Sequence, residues 1–203
     1  EGPITRDLRE EGFTVKIGHK KANLARKTAL VVYNQAILRD NPELLRTRRL
    51  RIPSYSYPEA VGVLTRNYRT VAVSGSHGKS TTTALVALIM KTAGLDPTVI
   101  IGTKLKEFGG KNFRLGRGLY LVLEADEWRA SFLRYSPALV IVTNIDKEHL
   151  DFYKNLKNVE ASFLKFLTRA RPNGTFVLNR DDKNLFSLRR AVEKIAHERN
   201  IKI

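Results

Sequence analysis

The sequence contains no cysteine among its 203 residues, and only one methionine and one tryptophan. Without a thiol it can form no disulfide and no cysteine-ligated zinc or iron–sulfur site, which fits a reducing compartment such as the cytoplasm. Long apolar runs are missing too. The longest, Ala29–Tyr33 and Ala84–Met90, fall far short of the roughly 18–20 residues that span a bilayer. The opening residues Glu1-Gly2-Pro3-Ile4 show neither an initiator methionine nor a signal-peptide pattern and read as the interior of a longer protein. Acidic residues are scarce: 20 against 36 Lys and Arg, for a net charge of +16. This balance favours polyanionic partners, among them nucleotides, nucleotide sugars, nucleic acid and acidic lipid. The bases cluster at Lys20, Lys21, Arg26 and Lys27, and again at Arg46, Arg48, Arg49 and Arg51. No aromatic and basic array of the RNA-binding-sheet kind accompanies them. The clusters therefore read first as a solvated basic surface, with nucleic acid a disfavoured partner.

What is present is an alternation of strand and helix signals over a chain that is 42% hydrophobic, which predicts an α/β fold with a parallel sheet. Phe13–Ile17 alternates like a strand, and Thr28–Tyr33 reads as a buried one. Pro42–Arg48 predicts a short helix capped by Asp40 or Asn41. Tyr57–Asn67 predicts another, with Pro58 in its first turn. A strand at Thr70–Ser74 runs into Gly75, and a largely apolar helix, expected to be buried, follows over Ser80–Ala93 with Gly94 ending it. Pro97–Ile101, Leu119–Glu124 and Thr175–Leu178 read as strands, and the β-branched run Ala138–Asn144 as a central one. Leu156, Val159, Phe163, Phe166 and Leu167 follow helical spacing, Pro172-Asn173-Gly174 makes a turn, and Leu185, Leu188, Val192 and Ile195 mark a last amphipathic helix. A boundary near Asn67–Arg69 divides the chain into 1–67 and 68–203.

The strongest chemical signal is Gly75-Ser76-His77-Gly78-Lys79-Ser80, between a strand and a helix. Glycines let backbone N–H groups turn toward phosphate oxygens, and the helix presents its positive end to the same anion. Lys79 supplies a cation for β- and γ-phosphates, and Ser80 a hydroxyl for Mg²⁺. The spacing departs from the common G-x-x-x-x-G-K-[ST] loop, because Val73 stands at the usual first glycine. His77, inside the loop, reads as packing or hydrogen-bonding locally. Two further segments leave strand ends, where open α/β sheets bind ligands. Glu124-Ala125-Asp126-Glu127 brings three carboxylates, which suggests a metal site. Thr143-Asn144-Ile145-Asp146-Lys147-Glu148-His149-Leu150-Asp151 brings a histidine able to ligate metal or to serve structurally.

These segments resemble the Mur ligase family. The loop Gly75–Ser80 with Thr81-Thr82-Thr83 is similar to the family's phosphate loop. The histidine variant, Glu124–Glu127 with Ala130-Ser131-Phe132-Leu133, and Thr143-Asn144-Ile145 with His149-Leu150-Asp151 are most similar to its UDP-N-acetylmuramate–L-alanine ligase branch. Asp40-Asn41-Pro42-Glu43 and Arg51-Ile52-Pro53 resemble the end of the family's first domain. The resemblance implies a three-layer parallel sheet with the phosphate loop as a partial central ATPase domain at 68–203, preceded at 1–67 by part of a Rossmann-like UDP-sugar domain. It implies ATP and Mg²⁺ as cofactors, UDP-N-acetylmuramate and L-alanine as substrates, and an acyl-phosphate route to the amide. Carried over, Gly75, Ser76, His77, Gly78, Lys79, Ser80 and Thr81 hold the nucleotide, with Asn144 lining the site. Lys79 contacts the β/γ-phosphates, Ser80 and Glu124 hold the first Mg²⁺, and His149 helps hold a second. Ser80 stands where threonine is usual, and Glu148 where aspartate is. Ser162, Phe163 and Leu164 occupy the place at which some branches carbamylate a lysine, and no modification of nearby Lys165 is expected. A sister ligase with another substrate, or a basic nucleotide- or nucleic-acid-binding module without catalysis, would also fit parts of the pattern. The isolated chain is expected to lack activity.

Overall fold

The computed structural model describes residues 2–203, and the chain forms two compact units, 1–60 and 61–203. In the first, helix α1 (Pro3–Glu10) is followed by an irregular stretch, then strand β1 (Val31–Tyr33), helix α2 (Pro42–Arg49) and strand β2 (Ser54–Ser56). β1 and β2 pair in parallel, Val31 opposite Ser54, so β1–α2–β2 is one crossover unit. Asn41 starts α2 as expected. Its Oδ1 accepts from the N–H groups of Glu43 at 2.9 Å and Leu44 at 3.3 Å, and Pro42 supplies the first turn.

Two expectations fail in this unit. Phe13–Ile17 is not a strand: its alternation finds no partner, and Phe13 and Ile17 are exposed. Strand structure within Thr28–Tyr33 is confined to β1, and Leu30 and Val32 face outward at about half exposure. A β-branched run predicts extended backbone but not what covers it.

Helix α3 (Tyr57–Asn67) leads into the second unit. There β3 (Arg69–Ser74), β4 (Thr98–Leu105), β5 (Lys111–Arg114), β6 (Tyr120–Glu124), β7 (Leu139–Val142) and β8 (Thr175–Leu178) form one sheet in the order β5-β4-β6-β3-β7-β8. All neighbours are parallel except β4 and β5. The sheet is thus mixed and mostly parallel rather than wholly parallel. The edge hairpin turns through Gly109 and Gly110, both at positive φ. Little in Lys111-Asn112-Phe113-Arg114 announces a strand. β7, expected at the centre, lies one strand in from the β8 edge, yet Val140 and Val142 are fully buried.

Alternation along the strands divides the core between the two faces. Leu121 and Leu123 belong to the larger cluster with helices α6 (Leu156–Leu167) and α8 (Arg189–Arg199), whereas Val122 joins Val99 and Ile101 beneath helix α4 (Lys79–Thr92). In the larger cluster Phe132 stacks on Phe166 at 4.5 Å between ring centroids and meets Phe163 edge-on at 5.3 Å. α4 is less buried than its composition suggests: Thr83 and Ala87 are enclosed, while Leu85 and Ile89 stand exposed on the opposite side. The single expected C-terminal helix is two, α7 (Lys183–Ser187) and α8, joined at Leu188. A short helix α5 (Leu150–Tyr153) and a 3₁₀ turn at Trp128–Arg134 were not foreseen. No helix among the described residues is long and apolar enough to cross a membrane.

Candidate nucleotide and metal site

Sheet register assembles the site. Val73 of β3 lies opposite Glu124 on one side and Ile141 on the other. The carboxyl ends of β3, β6 and β7 therefore release the glycine loop, the acidic segment and the asparagine–histidine segment side by side, where an open α/β sheet binds ligands.

The loop is clamped to the segment after β7. Ser76 N–H donates to the Asn144 carbonyl at 3.1 Å. Asn144 Oδ1 accepts from His77 N–H at 2.8 Å, and its Nδ2 donates to the His77 carbonyl at 2.9 Å. Thr143 Oγ1 donates to the same carbonyl at 2.7 Å, and Ser76 Oγ accepts from Asp146 N–H at 2.7 Å. Asn144 thus spends both ends of its amide on the loop backbone and shapes it. α4 begins at Gly78, φ +78°, with no side-chain cap. Its first-turn N–H groups, those of Lys79, Ser80 and Thr81, are the uncapped donors to which an anion binds. The His77 ring is exposed, with Nδ1 3.4 Å from Glu148 Oε1 and Nε2 3.6 Å from Asp146 Oδ2.

Lys79 Nζ folds back over the loop, donating to the carbonyls of Gly75 at 2.7 Å and Ser76 at 3.0 Å, and to Glu127 Oε1 at 3.0 Å. Ser80 Oγ donates to Glu124 Oε1 at 3.0 Å, and Glu124 Oε2 accepts from Gly102 N–H at 2.7 Å. His149, at φ +53° ahead of α5, places Nε2 3.6 Å from Glu127 Oε1. The structure thus brings Ser80 to Glu124 and His149 to Glu127.

Glu127 is one of the three carboxylates that suggest a metal site in the sequence, where nothing sets it apart or gives it a role of its own. The 3₁₀ turn that buries it carries Arg129 and Ala130 at positive φ, which no propensity announces. Its side chain is 1% exposed, and Oε2 has no hydrogen-bond partner among the described residues. Burial pushes its carboxyl above the usual carboxylate range, with the Lys79 charge opposing. Behind it Tyr153 Oη donates to the Glu127 carbonyl and sits 3.3 Å from Ser162 Oγ. Ser162, one of the three residues around the place at which some branches carbamylate a lysine, is thus a buried hydroxyl, and Lys165 is exposed.

Ligand atoms of Asp126, Glu127 and His149 all lie within 4.8 Å of one another. A buried carboxylate oxygen without a partner suits a cation, and oxygen donors at Ser80 and Glu124 suit Mg²⁺. The donor set fits the metal chemistry that the resemblance implies.

Residues 73–202 match the Mur ligase middle domain, and residues 1–69 the catalytic domain of the Mur ligase family. The chain belongs to the Mur ligase family. Among the relatives of this Mur ligase chain is the UDP-N-acetylmuramate–L-alanine ligase of Aquifex aeolicus, 44% identical over 201 residues, covering 99% of this chain and 43% of that protein. The enzyme of the same name from Caldicellulosiruptor saccharolyticus is 43% identical over 189 residues, covering 93% and 41%. The chain thus spans about two fifths of the length of these curated relatives. The crystal structure of UDP-N-acetylmuramate-alanine ligase from Thermotoga maritima superposes with a TM-score of 0.80 at 31% identity, over 93% of this chain and 43% of that one.

Proposed function

We propose that the chain is the sugar-side and ATP-binding portion of a cytoplasmic, ATP-dependent ligase that joins L-alanine to UDP-N-acetylmuramate in peptidoglycan precursor synthesis. One observation carries the reading: three strand ends bring Lys79, Ser80, Glu124 and His149 to one place on a sheet of this family. The names of the Aquifex and Caldicellulosiruptor relatives support the substrate pair. Residues 1–67 form part of the UDP-sugar domain and 68–203 part of the ATP-binding domain, a division supported by the family matches at 1–69 and 73–202.

In this reading the uncapped N–H groups of Lys79, Ser80 and Thr81 receive the phosphates, and Lys79 leaves its loop carbonyls for the β- and γ-phosphoryl oxygens. Ser80 and Glu124 would hold one Mg²⁺, and His149 with Glu127 would help hold a second; the ions supply charge neutralisation at the phosphates. The γ-phosphoryl group passes to the sugar's carboxylate, with its bond to ADP broken. The alanine amine then forms the C–N bond as the acyl carbon–oxygen bond to phosphate breaks, inorganic phosphate leaves and the nitrogen gives up a proton. Positioning and charge stabilisation carry most of such a transfer.

The test uses the full-length protein. With UDP-N-acetylmuramate and ATP, phosphate release depends on L-alanine and exceeds that with glycine, D-glutamate or an alanyl peptide by at least about tenfold, the scale on which a pocket separates substrates by a methyl or more. Release driven only by a peptide or another amino acid would reassign the substrate.

A further inference from the structure

The N-terminal unit carries charge that ATP chemistry does not use. Between residues 16 and 51 there are ten Lys and Arg and two acids, Asp40 and Glu43, and Glu43 is engaged by Asn23 and His19. Four of these cations, Lys21, Arg26, Arg46 and Arg49, line a cavity of about 270 Å³ together with Leu45 and Leu50, and no carboxylate among the described residues lines it. Three segments build the cavity: Lys21 opens a 3₁₀ turn, Arg26 lies in the loop before β1, and Leu45, Arg46 and Arg49 belong to α2, with Leu50 at its end. α2 buries Leu44 and Thr47 on its inner face, which turns Leu45, Arg46 and Arg49 outward. Arg46 is half-buried, its Nε donating to the Leu24 carbonyl at 3.1 Å, so one guanidinium is fixed across the gap. Leu45 and Leu50 are 45% and 36% exposed among the cations.

Four convergent cations without a counter-ion in the lining recognise phosphate. The neighbouring surface decides what bears it. A single-stranded nucleic acid site supplies aromatic platforms for bases, and no aromatic side chain among the described residues lines this cavity. Exposed leucines set between arginines match the boundary of a bilayer, where lipid phosphates lie just above apolar chains. We propose that this face of the N-terminal unit is a peripheral docking surface for an anionic membrane leaflet, with a lipid phosphate held among Lys21, Arg26, Arg46 and Arg49 and with Leu45 and Leu50 meeting the acyl boundary. The surface shares no residue with the phosphate-loop site, so it stands whether or not the ligase reading does.

The 203-residue chain is co-sedimented with vesicles of phosphatidylcholine alone and of phosphatidylcholine with phosphatidylglycerol, at physiological salt. It binds the second and not the first. Lys21→Glu/Arg49→Glu, at two exposed positions, weakens binding at least about twentyfold, since each basic residue at an anionic surface contributes roughly fivefold. Lys183→Glu/Arg190→Glu, the same change in net charge at exposed positions of the other unit, weakens it less than about threefold. Arg49→Gln, a milder change, costs about fivefold by itself. Absence of wild-type binding to the anionic vesicles overturns the proposal. So do equal losses in the two double variants, which would mean diffuse charge, and binding of duplex DNA but not vesicles through the same residues.

Discussion

Gly75→Ala destabilises the second unit by roughly 3–5 kcal/mol and weakens ATP binding at least about a hundredfold. Gly75 sits at φ +139°, and a Cβ there would lie 2.0 Å from Thr143 Oγ1 and 3.0 Å from the Asn144 carbonyl oxygen. Neither neighbour is free to move. Thr143 Oγ1 holds the His77 carbonyl, and Asn144 holds Ser76 and His77 through backbone and side chain. The added carbon therefore strains the backbone and pries the loop from β7, with two or more hydrogen bonds lost. Gly78→Ala provides the contrast. Its φ is +78°, but nothing lies within 4 Å of the new carbon, so the cost is the conformational one of about 1–2 kcal/mol. Chemical denaturation and calorimetric ATP titration of both variants check the pair. Equal stability of the two would contradict the clamp.

Lys79→Ala separates folding from binding. The substitution removes the cation beside Glu127 and leaves a carboxylate buried without its partner, a loss on the order of 3 kcal/mol at neutral pH. The sign with pH follows from the Glu127 shift. Its folded carboxyl is raised, so the folded state binds a proton that the unfolded state has released. That stabilising contribution is complete below the unfolded value and is lost as pH rises through the folded value. Removing Lys79 raises the folded value further. The variant is therefore close to wild type near pH 4 and falls behind as pH climbs toward neutrality. Lys79→Ala/Glu127→Gln removes the unpaired charge and recovers stability to within about 1 kcal/mol. ATP affinity falls at least about a hundredfold in the single variant, or roughly 2.7 kcal/mol, and does not recover in the double. Melts from pH 4 to 8 with ATP titrations read both effects. Recovery of binding along with stability would show that Lys79 acts only through the fold.

Elements with a local signature were legible in the sequence. α3 starts and stops at the residues its pattern gives, with Pro58 in its first turn. β8 lies between a Pro-Asn-Gly turn and polar residues, as read. The phosphate loop showed itself because glycine, lysine and hydroxyl at fixed spacing serve one chemistry. Features that depend on partners did not show. Phe13–Ile17 alternates but has no neighbouring strand, whereas Lys111–Arg114 barely alternates and is held in the sheet by β4. The pairing of Ser80 with Glu124 was implied by the family resemblance, which assigns both to one Mg²⁺. The Lys79–Glu127 pair was not, because a turn with two non-glycine residues at positive φ folds Glu127 inward. Glycine advertises such backbone; Arg129 and Ala130 do not.

The measurement that bears most directly on the central claim is calorimetric titration of the 203-residue chain with ATP, in Mg²⁺ and again after chelation. Lys79 and Ser80 at the start of α4, with Glu124 of β6 beside Ser80, predict binding in Mg²⁺ that weakens at least about tenfold when the ion is removed. Absence of binding in Mg²⁺, in a sample that melts cooperatively, would contradict a competent nucleotide site at this loop.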